Sequence, residues 1–139
     1  DIGPREDGTI PPEQVHILKE LGKWNRNHAE AVFGSLPGLP PGHFYGPSTL
    51  SKDSTVLYLF LPGRSAGDVM VKGLSNEIRD VEVVGTSEHL KPKIVGKISW
   101  SPVPGLVFIT VPEKLKDQYM TVLKVKLDGK LKLYRDTGG

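Results

Sequence analysis

Two periodicities divide this chain of 139 residues. Between residues 12 and 27, Ile17, Leu18, Leu21 and Trp24 recur at helical spacing opposite Lys19, Glu20, Lys23 and Arg26, which predicts one amphipathic α-helix. Pro11 and Pro12 precede it and Glu13 stands in its first turn, where proline is tolerated and a carboxylate favours the positive end of the dipole. Further along, the apolar residues come in short runs rich in Val, Ile, Leu and aromatics. They predict strands at 55–61, 68–72, 81–84, 97–100, 106–111, 121–127 and 130–134. Pro62-Gly63, Ala66-Gly67, Gly85, the stretch from Pro102 to Gly105, Pro112 and Asp128-Gly129 punctuate the runs. Asp-Gly supplies the positive φ angles of a tight primed turn, so the last two strands are expected to form a hairpin. About seven strands with no helix between them make a mainly β protein, an antiparallel β-sandwich preceded by one amphipathic α-helix.

Pro37, Gly38, Pro40, Pro41, Gly42, Gly46 and Pro47 crowd the segment before the first long strand, which reads as a connector running over a surface. The expected division is therefore 1–34, holding the helix, then a linker at 35–47, then the sandwich at 48–139. With 37% apolar residues, 16 Gly and 12 Pro, the chain supports one ordinary core built from many short elements.

Cysteine is absent, which excludes disulfides, thiolate metal sites and thiol nucleophiles. The sequence has no apolar run long enough to span a bilayer and opens on Asp1-Ile2-Gly3-Pro4, unlike a signal peptide; no membrane partner is expected. Net charge is +2, but residues 1–88 carry 8 Lys and Arg against 12 Asp and Glu, and residues 89–139 carry 10 against 4. Such asymmetry can mark a nucleic-acid surface. Here Lys124, Lys126, Lys130 and Lys132 alternate with Val125, Leu127, Leu131 and Leu133, as on the wet face of strands, without interleaved aromatics to stack bases. No nucleic-acid partner is expected.

Candidate chemistry is sparse. Asp1, Glu6 and Asp7 read as turn acids and capping groups. His16, His28, His43 and His89 are scattered, with no pair at the spacing of a helical metal site, and no glycine-rich phosphate loop is present, so neither metal nor cofactor is expected. Trp24 reads as helix packing. Trp100 ends an expected strand, where core packing is favoured over a sugar platform, and Phe44-Tyr45 either pins the connector or stacks on a sugar ring. Trp100, Tyr119, Tyr134, Phe44 and Tyr45 are the candidate glycan contacts.

Asp1-Ile2-Gly3-Pro4, then Asp7-Gly8-Thr9-Ile10-Pro11-Pro12, Leu18 through Gly22-Lys23-Trp24, and Asn27-His28-Ala29-Glu30-Ala31-Val32-Phe33-Gly34 resemble the end of the catalytic domain in glycoside hydrolase family 29, the α-L-fucosidases. There N-I-G-P and D-G-x-I-P-P close the last barrel strand and open the last barrel helix, which ends in N-G-E-A-I-Y-G. Asp1 replaces the family's asparagine, and Ala29 adds a residue beside the N-G-E-A pattern. The later runs resemble the family's carboxy-terminal sandwich.

That resemblance implies a carboxy-terminal fragment: residues 1–34 as a remnant of the (β/α)8 barrel, and 48–139 as the accessory sandwich of a retaining enzyme that hydrolyses terminal L-fucose from glycans. It implies a parent that is secreted, periplasmic or lysosomal, with the barrel and a fucosylated glycan as partners. The family's nucleophile, acid/base and fucose-gripping histidines lie upstream of the segment matched, so no catalytic residue is expected here. A barrel needs about 250 residues and builds its site from several strands, so the chain alone is expected to be inactive. Two other readings stand beside this one, a carbohydrate-binding sandwich module and a stand-alone interaction domain. A helix cut from its barrel also predicts self-association through its apolar stripe.

Overall fold

The computed structural model describes residues 34, 36–62, 68–116 and 120–134. The expected helix, the self-association it implies and Tyr119 fall outside them. Among the described residues eight strands follow in chain order: β1 (Leu36–Pro37), β2 (Ser48–Leu50), β3 (Val56–Pro62), β4 (Val69–Val71), β5 (Ile78–Val83), β6 (Lys93–Val95), β7 (Leu106–Ile109) and β8 (Met120–Leu127), with a 3-10 turn at Glu113–Leu115.

The last strand occupies the middle of the larger sheet. β8 pairs antiparallel with β3 from Val56↔Lys126 to Pro62↔Met120, and on its other edge with β5 from Ile78↔Leu127 to Val83↔Leu123. With β2 and β1 added beyond β3, the five-stranded order is β1-β2-β3-β8-β5, while a three-stranded sheet runs β4-β7-β6. Every one of these pairings is antiparallel, so the mainly β, two-sheet sandwich expected from the sequence is the observed architecture.

Period-2 alternation explains the core. Leu57, Leu59 and Leu61 of β3, Leu123, Val125 and Leu127 of β8, and Val81 and Val83 of β5 belong to one buried cluster with Val69, Val71, Val107 and Ile109 of the smaller sheet. Those branched side chains leave the pleat alternately, so one face of each strand supplies the sandwich interior. The opposite face of the larger sheet is also buried at its centre, through Tyr58, Phe60, Met120 and Val122. Lys124 lies there too, only 3% exposed, although the sequence pattern placed it on a wet face with Lys126, Lys130 and Lys132. Its register explains the difference: Lys124 stands between Tyr58 on β3 and Glu82 on β5, in the covered middle of the sheet, while the other three lysines are exposed.

Three other expectations are corrected. The hairpin at Asp128-Gly129 does not form, because both edges of β8 already carry partners and no ladder is free for a returning strand. Residues 130–134 instead cross the sheet end, where Leu133 bridges Leu74 and Leu131 N–H donates to the Ser54 carbonyl at 2.8 Å. The strand expected at 97–100 is displaced to β6, because Gly96 at φ +82° ends the extended chain and Ser101 N–H closes a turn on the Ile98 carbonyl at 3.1 Å. The Pro/Gly-rich segment contributes β1, and its Leu39 and Phe44 join the core. Leu39 N–H is satisfied by Ser48 Oγ at 2.7 Å and Gly38 N–H by the Ser48 carbonyl at 3.2 Å, so these two donors keep partners where the backbone enters the interior.

The β2–β3 connection is a self-contained polar turn. Ser54 adopts φ +66°, and the Asp53 carboxylate accepts from Ser51 Oγ at 2.7 Å, Thr55 Oγ1 at 2.7 Å and Thr55 N–H at 3.1 Å. The hydroxyl of Ser51, then the hydroxyl and amide of Thr55, lower the Asp53 pKa below its ordinary value. A carboxyl with a lower folded than unfolded pKa binds fewer protons when folded, so its contribution is present above the unfolded pKa and is lost as pH falls through the folded one. Urea unfolding should therefore show Asp53→Asn less stable than the parent near neutrality, with the difference shrinking below about pH 4. A gap that stays constant with pH would refute the assignment.

Candidate functional site

β5 and β6 end their respective sheets, so the sandwich stays open on that side. The opening is a cleft of about 950 Å³ with Leu74, Ile78, Leu90 and Val107 among its apolar lining and Asn76, Asp80, His89 and Lys97 among its polar lining. Ile94 of β6 also lines it and remains 54% exposed, because no further strand among the described residues pairs beyond β6.

Beside the cleft, three potential ligands converge. Asp80 and Glu82 are two residues apart on β5 and therefore share a face. Gly85 at φ +86° turns the chain back, Thr86 Oγ1 donates to the Val83 carbonyl at 2.7 Å, and His89 arrives opposite Glu82 as an isolated bridge. Backbone bonds from Leu90 N–H to the Val81 carbonyl at 2.8 Å and from Val83 N–H to the Glu88 carbonyl at 3.0 Å hold the return in place. His89 Nδ1 lies 2.8 Å from Asp80 Oδ1, and the ligand atoms of Asp80, Glu82 and His89 all fall within 4.8 Å of one another. An imidazole with two carboxylates suits a borderline divalent metal. The cross-strand neighbours oppose a cation, since Lys126 pairs in register with Asp80 and Lys124 with Glu82. This edge is accounted for as a charge-balanced one. Sequence spacing could not reveal the trio, because a turn, and not a helix repeat, brings His89 to Asp80.

A second groove, of about 790 Å³, has Pro40, Pro41, His43, Val103 and Tyr134 in its lining. His43 Nδ1–H donates to the Lys72 carbonyl at 2.7 Å, while Lys72 N–H donates to the His43 carbonyl at 2.9 Å. Gly73 follows at φ +73°, with its carbonyl accepting from Tyr134 N–H at 2.8 Å.

The candidate glycan contacts are dispersed. Phe44 is buried, with its ring centroid 4.8 Å from that of Tyr45 and tilted by 50°, while Tyr45 points into solvent at 68% exposure. Tyr134 is half-buried in the second groove. Trp100, expected to favour the core, is 85% exposed: the chain turns at 98–101 instead of continuing as a strand, so no sheet face receives the indole.

Gly73 and Gly85 separate backbone strain from crowding. Both have positive φ, but a Cβ at Gly73 would lie 2.9 Å from the His43 ring, whereas a Cβ at Gly85 meets nothing within 4 Å. Gly85→Ala should cost about 1–2 kcal/mol from conformation alone, and Gly73→Ala should cost more, in chemical denaturation. Equal losses would show that the His43 contact carries no weight.

No family model matches the chain. The α-L-fucosidase of Dictyostelium discoideum is 31% identical over 109 residues, a match that takes in 68% of this chain and 23% of that protein. The crystal structure of Thermotoga maritima α-fucosidase in complex with fucose matches at 26% identity and a TM-score of 0.47, covering 90% of this chain and 29% of that one. The chain thus spans about a quarter of the length of its curated relative, as a carboxy-terminal fragment would, and it is in sequence a relative of the α-L-fucosidases.

Proposed function

We propose that this chain serves as the accessory, structural domain of a retaining α-L-fucosidase, with residues 48–139 as the body of a sandwich that buttresses a catalytic barrel, 35–47 as the join that adds β1, Leu39 and Phe44 to that sandwich, and 1–34 as the end of the barrel. The parent would release terminal L-fucose from glycans outside the cytosol. The observation that carries this reading is the match to α-L-fucosidase over 68% of this chain but only 23% of the relative, a proportion suited to a piece of the enzyme and not to its whole.

The chemistry of the described residues supports it. A retaining mechanism needs two carboxyl groups about 5–5.5 Å apart on either side of a bound sugar. Asp80 and Glu82 are close enough, but they project from the same face of one strand, and Glu82 lies outside the cleft lining. Asp80 is also engaged by His89. The reading as a carbohydrate-binding module has less support, since it needs aromatics gathered on one exposed face and Phe44 is in the core.

The isolated chain should show no turnover of an aryl α-L-fucoside. In the longer parent, removal of residues 48–139 should lower the melting temperature while molecules that remain folded keep the parent's kcat. Turnover by the isolated chain, or a kcat lost with the sandwich at unchanged stability, would overturn the proposal.

A further inference from the structure

The segment from Lys91 to Val103 is the most exposed part of the described structure. Residues 93–100 are exposed without interruption, including Ile94, Val95, Ile98 and Trp100, with Val103 just beyond. Scattered apolar residues on a surface mean little, but a run of them is unusual. The charge pattern of the same stretch is one-sided: Lys91, Lys93 and Lys97 lie in it, and no Asp, Glu, Asn or Gln occurs between Leu90 and Pro112.

The loop that carries Trp100 is ordered by its own bonds. Ser101 N–H donates to the Ile98 carbonyl at 3.1 Å, Val103 N–H to Ser101 Oγ at 3.2 Å, and Lys97 Nζ to the Ile98 carbonyl at 3.1 Å and to the Ser101 carbonyl. Carbonyls that would otherwise need water are thus satisfied within the loop. A backbone segment can enter a poorly hydrated phase only if its polar groups are satisfied in this way.

We propose that this edge, with Trp100 at its tip, docks on an anionic lipid surface. Trp prefers the membrane–water interface, the neighbouring Ile98 and Val103 supply apolar area, and the lysines meet the negative headgroups. A sugar ligand fits less well, because stacking on Trp100 would have to be completed by side-chain amides or carboxylates, and the stretch has none. The acids of the neighbouring cleft, Glu77 just before β5 and Asp80 on it, have Arg79 at 3.9 Å and His89 at 2.8 Å as their partners. The absence of a membrane-spanning helix among the described residues is compatible with surface contact, which needs no span. The proposal does not depend on the fucosidase reading.

The test is cosedimentation of the full chain with phosphatidylcholine vesicles, with and without phosphatidylserine, at low and high salt. The chain has two tryptophans, so Trp24→Phe makes Trp100 the sole indole reporter. Binding is expected only with phosphatidylserine, weakened by salt, with a blue shift of Trp100 emission. Lys91→Glu with Lys93→Glu should weaken it more than about twentyfold. Trp100→Ser should weaken the apolar part of the binding, which persists at high salt, and both variants should melt at the parent's temperature because the altered side chains are exposed. Absence of binding, equal binding to uncharged vesicles, unchanged Trp100 emission in the bound protein, or undiminished binding by the variants would each overturn the proposal. So would capture by a sulfated polysaccharide without capture by vesicles, which would make the edge an anionic-glycan site.

Discussion

Everything in this fold is arranged around the double pairing of β8. A strand hydrogen-bonded on both edges cannot accept another partner, and one buried on both faces cannot present an ordinary wet surface. β8 satisfies both conditions: β3 and β5 take its edges, Leu123 and Val125 face the sandwich interior, and Met120 and Val122 are buried on the other side. The last of the described strands therefore inserts between two much earlier ones, so β3 and β5 are joined only once β8 is available. Contacts between residues so far apart in sequence favour slow folding over fast. They also make the sheet cooperative, since losing β8 separates β5 from β3.

The same arrangement determines where the molecule is open. Once β8 is central, β5 becomes the edge of the larger sheet, and among the described residues the short return through His89 adds a bridge to it. In the smaller sheet β7 is central and β6 is the edge. The two uncovered edges belong to the same side of the sandwich, and the cleft between them follows from topology. β6 is three residues long and starts with Lys93. Short length and an edge lysine both discourage pairing with another chain's strand. The apolar residues that follow it in the Trp100 loop have no such protection, so their exposure calls for a ligand or surface more than for another strand.

Much of this was legible in the sequence, and what was not has physical reasons. β3, β4, β7 and β8 appear where runs of branched residues alternate between turn signals, and the absence of intervening helices gave an antiparallel sandwich. The failures occurred where tertiary context outweighs local preference. Asp128-Gly129 has hairpin chemistry, but a hairpin requires a free edge, and the occupancy of an edge is not a local property. Asp128 instead accepts from Asn76 Nδ2 at 2.8 Å, which binds the turn to a distant loop. β1 and β2 were missed because proline and glycine ordinarily mark loops, whereas here Gly38 lets the backbone come close to Ser48, with an N–H bond of 3.2 Å. Lys124 looked like any other member of a lysine alternation, and only the register showed that its row is covered. At the site level, Trp100 could not be placed by pattern alone: one residue of strand more or less decides whether an indole is buried or free. The convergence of Asp80, Glu82 and His89 depended on a turn whose closure by Thr86 leaves no motif to read.

The relation to α-L-fucosidase and the physics of the sandwich point in the same direction. Catalysis of the retaining type requires two carboxyl groups from elements that face each other across a substrate, with water controlled on both sides. Among the described residues the inner faces are packed with Leu and Val and hold no such facing pair, and the open edge carries acids that are already engaged by Arg79 and His89. What it does offer is rigidity: two apolar layers locked by a central strand, with connections such as the Asp53 turn saturated by their own hydrogen bonds. A body of that kind is suited to holding a neighbour in place, the role proposed for it above, and its exposed margins are free to acquire other contacts.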